Sequence, residues 1–214
     1  KIFDANISVD ISGDDHFYHL PIMSLRKTFP KSTWLELLWM LSGSTDANLL
    51  KNAGVGIWDA NTSREFIDKQ GLHHLQTGHI GKGYGHQFRK FNGHVDQLMN
   101  LINGIKENPY GRRHMISLWN PAELDETVLP PCHVMYNFMV IGDKLHLKFF
   151  QRSSDQVLAG QGNLLFAAFF LILVANETGL KAGKVSHSIT DAHIYHNLMD
   201  AALEIIERPA IDLT

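Results

Sequence analysis

Apolar positions change their spacing several times along the chain, and each change marks an element. Ile2, Phe3, Ile7, Val9 and Ile11 partly alternate with polar residues, as in a strand, and Gly13-Asp14-Asp15 supplies a turn. Pro30-Lys31-Ser32-Thr33 opens a helix with Ser32 or Thr33 as its cap. Trp34, Leu35, Leu37, Leu38, Met40 and Leu41 leave that helix almost no polar side, so burial is expected. Gly43-Ser44 stops it, and a short helix over 46–50 ends near Gly54. Residues 60–94 are polar and rich in Gly and His, which reads as loops around a site. Val95, Leu98, Leu101, Ile102 and Ile105 return to helical spacing, ended by Asn108-Pro109-Tyr110-Gly111. Residues 115–119, 134–140 and 145–151 read as strands, the last two joined by a hairpin at Gly142-Asp143. A buried helix over 164–177 closes at Gly179, a strand covers 184–189, and an amphipathic helix over 195–207 precedes Pro209. This alternation gives an α+β class, with a mixed sheet and buried helices.

Composition narrows the function more than the fold. The 214 residues fit one domain and hold a large core without staples. Lys and Arg number 19 against 22 Asp and Glu, a net charge of −3 that argues against a general nucleic-acid binder. Cys132 is the single cysteine, which rules out an intrachain disulfide and a cysteine-cluster metal site. The longest apolar run, 164–175, has 12 residues, too few to span a bilayer. No metal, nucleic-acid or membrane partner is therefore expected, and a cytoplasmic location is.

Four groups of residues carry candidate chemistry. Cys132 sits in Pro130-Pro131-Cys132-His133. A lone thiol is usually an inert core residue, but rigid prolines, a neighbouring His and nearby arginines suit an activated nucleophile. Glu36 lies in a helix with almost no polar face, as a paired structural carboxylate or as an acid or base poised near neutrality. Arg112-Arg113 follows a turn, and Arg152-Ser153 lies between an apolar strand and an apolar helix, where guanidinium and hydroxyl suit a phosphate. In Asp191-Ala192-His193-Ile194-Tyr195, extended backbone puts His193 and Tyr195 on one face; His193 and His196 lack a third metal ligand.

Ile57-Trp58-Asp59, Gly83-Tyr84-Gly85-His86-Gln87, Arg112-Arg113, Trp119-Asn120-Pro121, Pro131-Cys132-His133, Gln151-Arg152-Ser153-Ser154-Asp155, Asn163 and Asp191-Ala192-His193-Ile194-Tyr195 occur in one order. In that order the chain resembles the thymidylate synthases over nearly its whole length. The resemblance implies a thymidylate synthase-like fold, a single catalytic domain over 1–214 with a large mixed sheet, and a homodimer formed through that sheet with shared active sites. It implies that dUMP and 5,10-methylenetetrahydrofolate are the substrates, with no metal. Cys132 would attack C6 of the uracil, Glu36 would manage protons, and Tyr84 would help remove the C5 proton. Gln151, Arg152, Ser153, Asp155, Asn163, His193 and Tyr195 would hold the nucleotide, Asn163 reading the uracil edge. Arg112 and Arg113 would reach the phosphate from the other subunit. Trp58, Asp155 and Gly160 would border the folate. The family's N-terminal phosphate loop would precede Lys1 and its closing segment would follow Thr214, so the chain is expected to be part of something longer.

Two stretches depart from the family. Ala60-Asn61 stands where a second Trp is usual, and Gly160-Gln161-Gly162 replaces Leu-Pro-Phe. A wetter pocket would let water in place of hydride reach the intermediate, as in the related phage-type hydroxymethylases, giving 5-hydroxymethyl-dUMP. A non-catalytic nucleotide-binding homologue is the third reading, and joint retention of Cys132, Glu36 and Tyr84 argues against it.

Overall fold

A computed structural model describes residues 1–14, 17–209 and 211; Asp15 of the expected turn lies outside them. Five strands are β1 (Ile2–Asp10), β2 (Met115–Ser117), β3 (His133–Ile141), β4 (Lys144–Asp155) and β5 (Lys181–His193). Seven helices are α1 (Pro30–Leu41), α2 (Asn48–Asn52), α3 (Arg64–Lys69), α4 (Tyr84–Lys90), α5 (Gln97–Glu107), α6 (Gln161–Thr178) and α7 (Met199–Glu207). The strands form one sheet in the order β1-β5-β4-β3-β2. It is mixed: β4 and β5 run parallel, while β1 with β5 and β2 with β3 are antiparallel. The α+β class is thus borne out. The chain divides into two compact units, Lys1–Thr33 with Phe138–Thr214, and Trp34–Asn137.

The first unit is built on β4 and β5. A parallel pair needs a long crossover, and α6 supplies it. That helix is apolar all round because it is covered: Phe166, Phe170 and Leu171 are almost wholly buried. It has the length and composition to cross a bilayer, and eight of its residues are buried inside the fold. Gly179 ends it at φ 72°, a left-handed turn that a side chain would resist. Gly142 takes φ 63° in the hairpin read from the sequence. β5 is longer than the expected 184–189, because its edge pairs with β1 from Asp10↔Lys184 to Ile2↔Ala192. α7 begins at Met199, after a 3₁₀ turn over His196–Leu198, and buries none of its residues.

The second unit is mostly helix and loop. α1 starts with Pro30, whose missing N–H costs nothing at a first helical position. Ser32 and Thr33 therefore lie inside it and do not cap it; Thr33 Oγ1 donates to the Phe29 carbonyl at 3.2 Å. Its burial is also less complete than expected, since only Leu37, Trp39 and Met40 are buried. Residues 60–94 are not all loop: they hold α3, capped by Ser63 Oγ accepting from Phe66 N, and α4. Short polar helices escape a periodicity reading because tertiary contacts stabilise them more than their own pattern does. Asp96 caps α5 through Met99 N.

Candidate functional site

In Trp34–Asn137 the candidate catalytic residues come together. Tyr84 opens α4, and its hydroxyl accepts the Cys132 N–H at 2.9 Å and the His133 N–H at 3.5 Å. Gly85 allows this placement: a Cβ there would stand 2.1 Å from the Ser44 carbonyl oxygen. Burial, with the Cys132 charge adding to it, raises the Tyr84 phenol well above its ordinary pKa. The residue is therefore a neutral hydroxyl whose O–H remains a donor. Cys132 itself is half-buried.

Glu36 is the most perturbed carboxyl of this group. Burial pushes it up to about 7, against a smaller opposing effect of the Trp58 indole N–H, which donates to Oε1 at 3.0 Å. At neutral pH such a group gives or takes a proton with equal ease. Trp58 belongs to a series of rings: Trp39 to Trp58 at 6.0 Å, Trp58 to Tyr84 at 6.0 Å, Tyr84 to His133 at 5.7 Å. His133 Nδ1 lies 2.7 Å from the Tyr136 hydroxyl, in the same buried layer. Arg112 and Arg113 are in this unit but apart from that layer. Both are exposed and border an open groove of about 710 Å³ with Tyr110 and His114.

The candidate nucleotide ligands gather in the other unit, and strand register brings them there. β4 and β5 place Ser153 beside Asp191, Ser154 beside Ala192 and Asp155 beside His193. Gln151 is buried, and its Oε1 meets His187 Nε2 at 2.6 Å and accepts from Asn163 Nδ2 at 3.3 Å. Asn163 Nδ2 is also 3.4 Å from Ser154 Oγ, so the amide is oriented from two sides. Asp155 accepts from Leu158 N at 2.5 Å and from Tyr195 N at 3.1 Å. Its carboxylate thus holds the π-turn Gln156–Gly160 and the chain after His193. The His193 and Tyr195 rings meet edge to face at 5.0 Å. β5 ends at His193, so Tyr195 lies beyond the strand and not on its continued face.

Several residues here have no role, or a different one, in the sequence reading. His187 is fully buried and stacks on Phe149 at 4.4 Å. Its signal was alternation: Val185, His187 and Ile189 share the inward face of β5. Trp58 was assigned to the folate alone, whereas here it also donates to Glu36. Gln87, Asn120 and Glu123, all buried polar, form a cluster. Among the described residues, no group of three His, Cys, Asp or Glu is placed to hold a metal.

A family model described as thymidylate synthase matches residues 1–214. The thymidylate synthase of Equine herpesvirus 2 is 39% identical over 206 residues, which cover 89% of this chain and 71% of that protein. That of Saccharomyces cerevisiae is 38% identical, covering 91% and 70%. The human enzyme is 39% identical, covering 83% of this chain and 60% of its own length.

Proposed function

The chain belongs to the thymidylate synthase family, and from that premise we infer that it makes dTMP by transferring a one-carbon unit from 5,10-methylenetetrahydrofolate to C5 of dUMP. One observation carries the reading: the single thiol has its backbone N–H on the Tyr84 hydroxyl, in the unit where Glu36 is poised near neutrality by burial against Trp58. A nucleophile, a proton-transfer group and a donor hydroxyl are what attack on a pyrimidine ring needs.

The Cys132 thiolate forms a bond to C6, and the C5=C6 electron pair moves onto C5 and O4. Glu36 holds a proton at O4, which makes C5 nucleophilic without a free enolate. Tyr84 orients the water that takes the C5 proton; with its pKa raised, the phenol is a donor and not itself the base. At the end the S–C6 bond breaks and its electrons return to sulfur. An indole beside a carboxyl near pKa 7 fits a reduced pterin, which needs an apolar surface and proton exchange. Trp58 and Gly160 would border it, and Asp155 would act through the turn it caps. The folate, when bound, supplies the one-carbon unit and the hydride. Arg152 and Ser153 hold the 5′-phosphate, His193 and Tyr195 the ribose, and Asn163 the uracil edge, steadied by Gln151.

The same reading joins both units in one catalytic domain and includes a cytoplasmic homodimer formed through the sheet. In it Arg112 and Arg113 serve the partner's site; their exposure supports this. Relatives named thymidylate synthase favour methylation over hydroxymethylation. The test is stoichiometry: one dihydrofolate per dUMP consumed. A nucleotide that gains CH₂O without dihydrofolate would establish a hydroxymethylase; no product at all would establish a binding homologue.

A further inference from the structure

The proposed chemistry leaves one buried polar cluster of Trp34–Asn137 unused. Glu123 is its centre. Its Oε2 accepts from Gln87 Nε2 at 3.0 Å and from Asn120 Nδ2 at 2.9 Å, and lies 3.3 Å from His86 Nε2. Its Oε1 lies 3.1 Å from Lys82 Nζ. Burial is the largest single influence and opposes its charge, but hydrogen bonds from Gln87 and Lys82, together with nearby positive charge, hold the carboxyl below its ordinary pKa. A carboxylate with this many donors is a fixed point in the fold.

Two of the donors, Lys82 and Gln87, flank Tyr84 in sequence, as does the nearby His86. α4 has only seven residues, too few to hold itself. Its position comes from outside: the Ser44 carbonyl against Gly85 on one side, and Glu123 on the other. Glu123 also belongs to the segment that leads to Cys132. That segment is strapped to the start of α4 by Lys82 N–H to Glu126 O at 2.8 Å and Val128 N–H to Ile80 O at 3.2 Å. Both ends of the Tyr84–Cys132 hydrogen bond thus depend on the same cluster.

We propose that Glu123 is a positioning residue for Tyr84: through Lys82 and Gln87 its carboxylate sets the start of α4 and aims the Tyr84 hydroxyl. This rests on the role given to Tyr84 above. A purely structural ion pair would lower stability and leave the chemistry of the folded fraction alone. A positioning residue slows C5 proton removal with dUMP binding intact.

A double-mutant cycle separates the two. Tritium release from 5-tritiated dUMP is measured for the unmodified protein, Glu123→Gln, Tyr84→Phe and the double variant. Glu123→Gln is expected to slow release about 10- to 100-fold with KM for dUMP within about 2-fold, and to cost less than about 2-fold once Tyr84→Phe is present. Gln87→Met cuts the same link from the α4 side and should repeat the pattern, which covers a Glu123→Gln protein that fails to fold. Costs that multiply in the double variants, or a loss confined to melting temperature, would overturn the proposal. The cycle is also read without turnover, by the iodoacetamide alkylation rate of Cys132, the only thiol. Glu123→Gln should shift it about 2- to 5-fold in the Tyr84 background and leave it unchanged in the Tyr84→Phe background. An unmodified protein that releases no tritium would sink the proposed function alone; equal alkylation shifts in both backgrounds would sink the positioning role alone.

Discussion

The two compact units hold chemically different halves of the candidate machinery. In Trp34–Asn137 the groups are titratable and sit on short helices and loops: Glu36, Tyr84 and Cys132, with desolvation raising the first two. In the other unit they are hydrogen-bonding groups on long parallel strands and at the start of α6: Gln151, Ser153, Asn163 and His193. Bond making needs shifted proton affinities, and those come from burying charge, which irregular backbone around a few aromatic rings achieves. Recognition needs fixed spacing, and strand register supplies it. The difference teaches two physical strategies for preparing a functional group, one electrostatic and one geometric.

The sharpest break in that comparison is at the nucleophile. Cys132→Ser is expected to lower kcat by about 10³-fold or more while dUMP binding, measured by calorimetry, changes little. Near-normal turnover would remove the covalent step. Next is Glu36. Glu36→Gln should cost about 10²–10³ in kcat and erase the pH-rate limb near 7. The same group makes a stability prediction. Its folded pKa is raised, so the folded state binds the extra proton between about 4.5 and about 7. Stability therefore falls as pH rises through that window, by at most about 3 kcal/mol. Denaturant midpoints at both ends of the window should show Glu36→Gln gaining on the unmodified protein as pH rises; a gap independent of pH would contradict the burial account.

The recognition half is tested at Asn163. An aspartic acid there pairs with the cytosine edge when protonated, so Asn163→Asp should move the dCMP-to-dUMP ratio of kcat/KM by about 10²-fold toward dCMP. Equal use of both nucleotides by the unmodified protein would unseat the assignment. The smallest effect concerns Arg113, which lies in Trp34–Asn137 with the candidate catalytic residues yet is proposed to serve recognition in a partner. Mixing Arg113→Ala with Cys132→Ala protein should restore about a quarter of normal activity through hybrid dimers, each with one complete site. No recovery, with a monomer by light scattering, would count against shared sites.

Much of this was legible in the chain. The hairpin at Gly142-Asp143, the helix closed by Gly179 and the strands around it followed from period and turn residues. So did suspicion of Glu36, a carboxylate in an apolar helix. What was missed has a common cause. α3 and α4 lie in a polar stretch without a clear apolar period, and they are held by Ser63, Gly85 and Glu123. The cap of α1 was misplaced because a proline at the first helical position competes with Ser32 and Thr33 as a start signal.

By itself, then, the sequence determined which reactive groups exist and which local elements carry them: one thiol, one carboxylate among apolar residues, and an amide near the start of an apolar helix. Only the tertiary structure decided their partners. Trp58 meets Glu36 across 22 residues, His187 meets Gln151 across 36, and Tyr84 meets Cys132 across 48. Local period reports which face of an element is buried. What that face is buried against, and hence the proton affinity and aim of each group, is set by contacts between distant segments, which no local window of sequence contains.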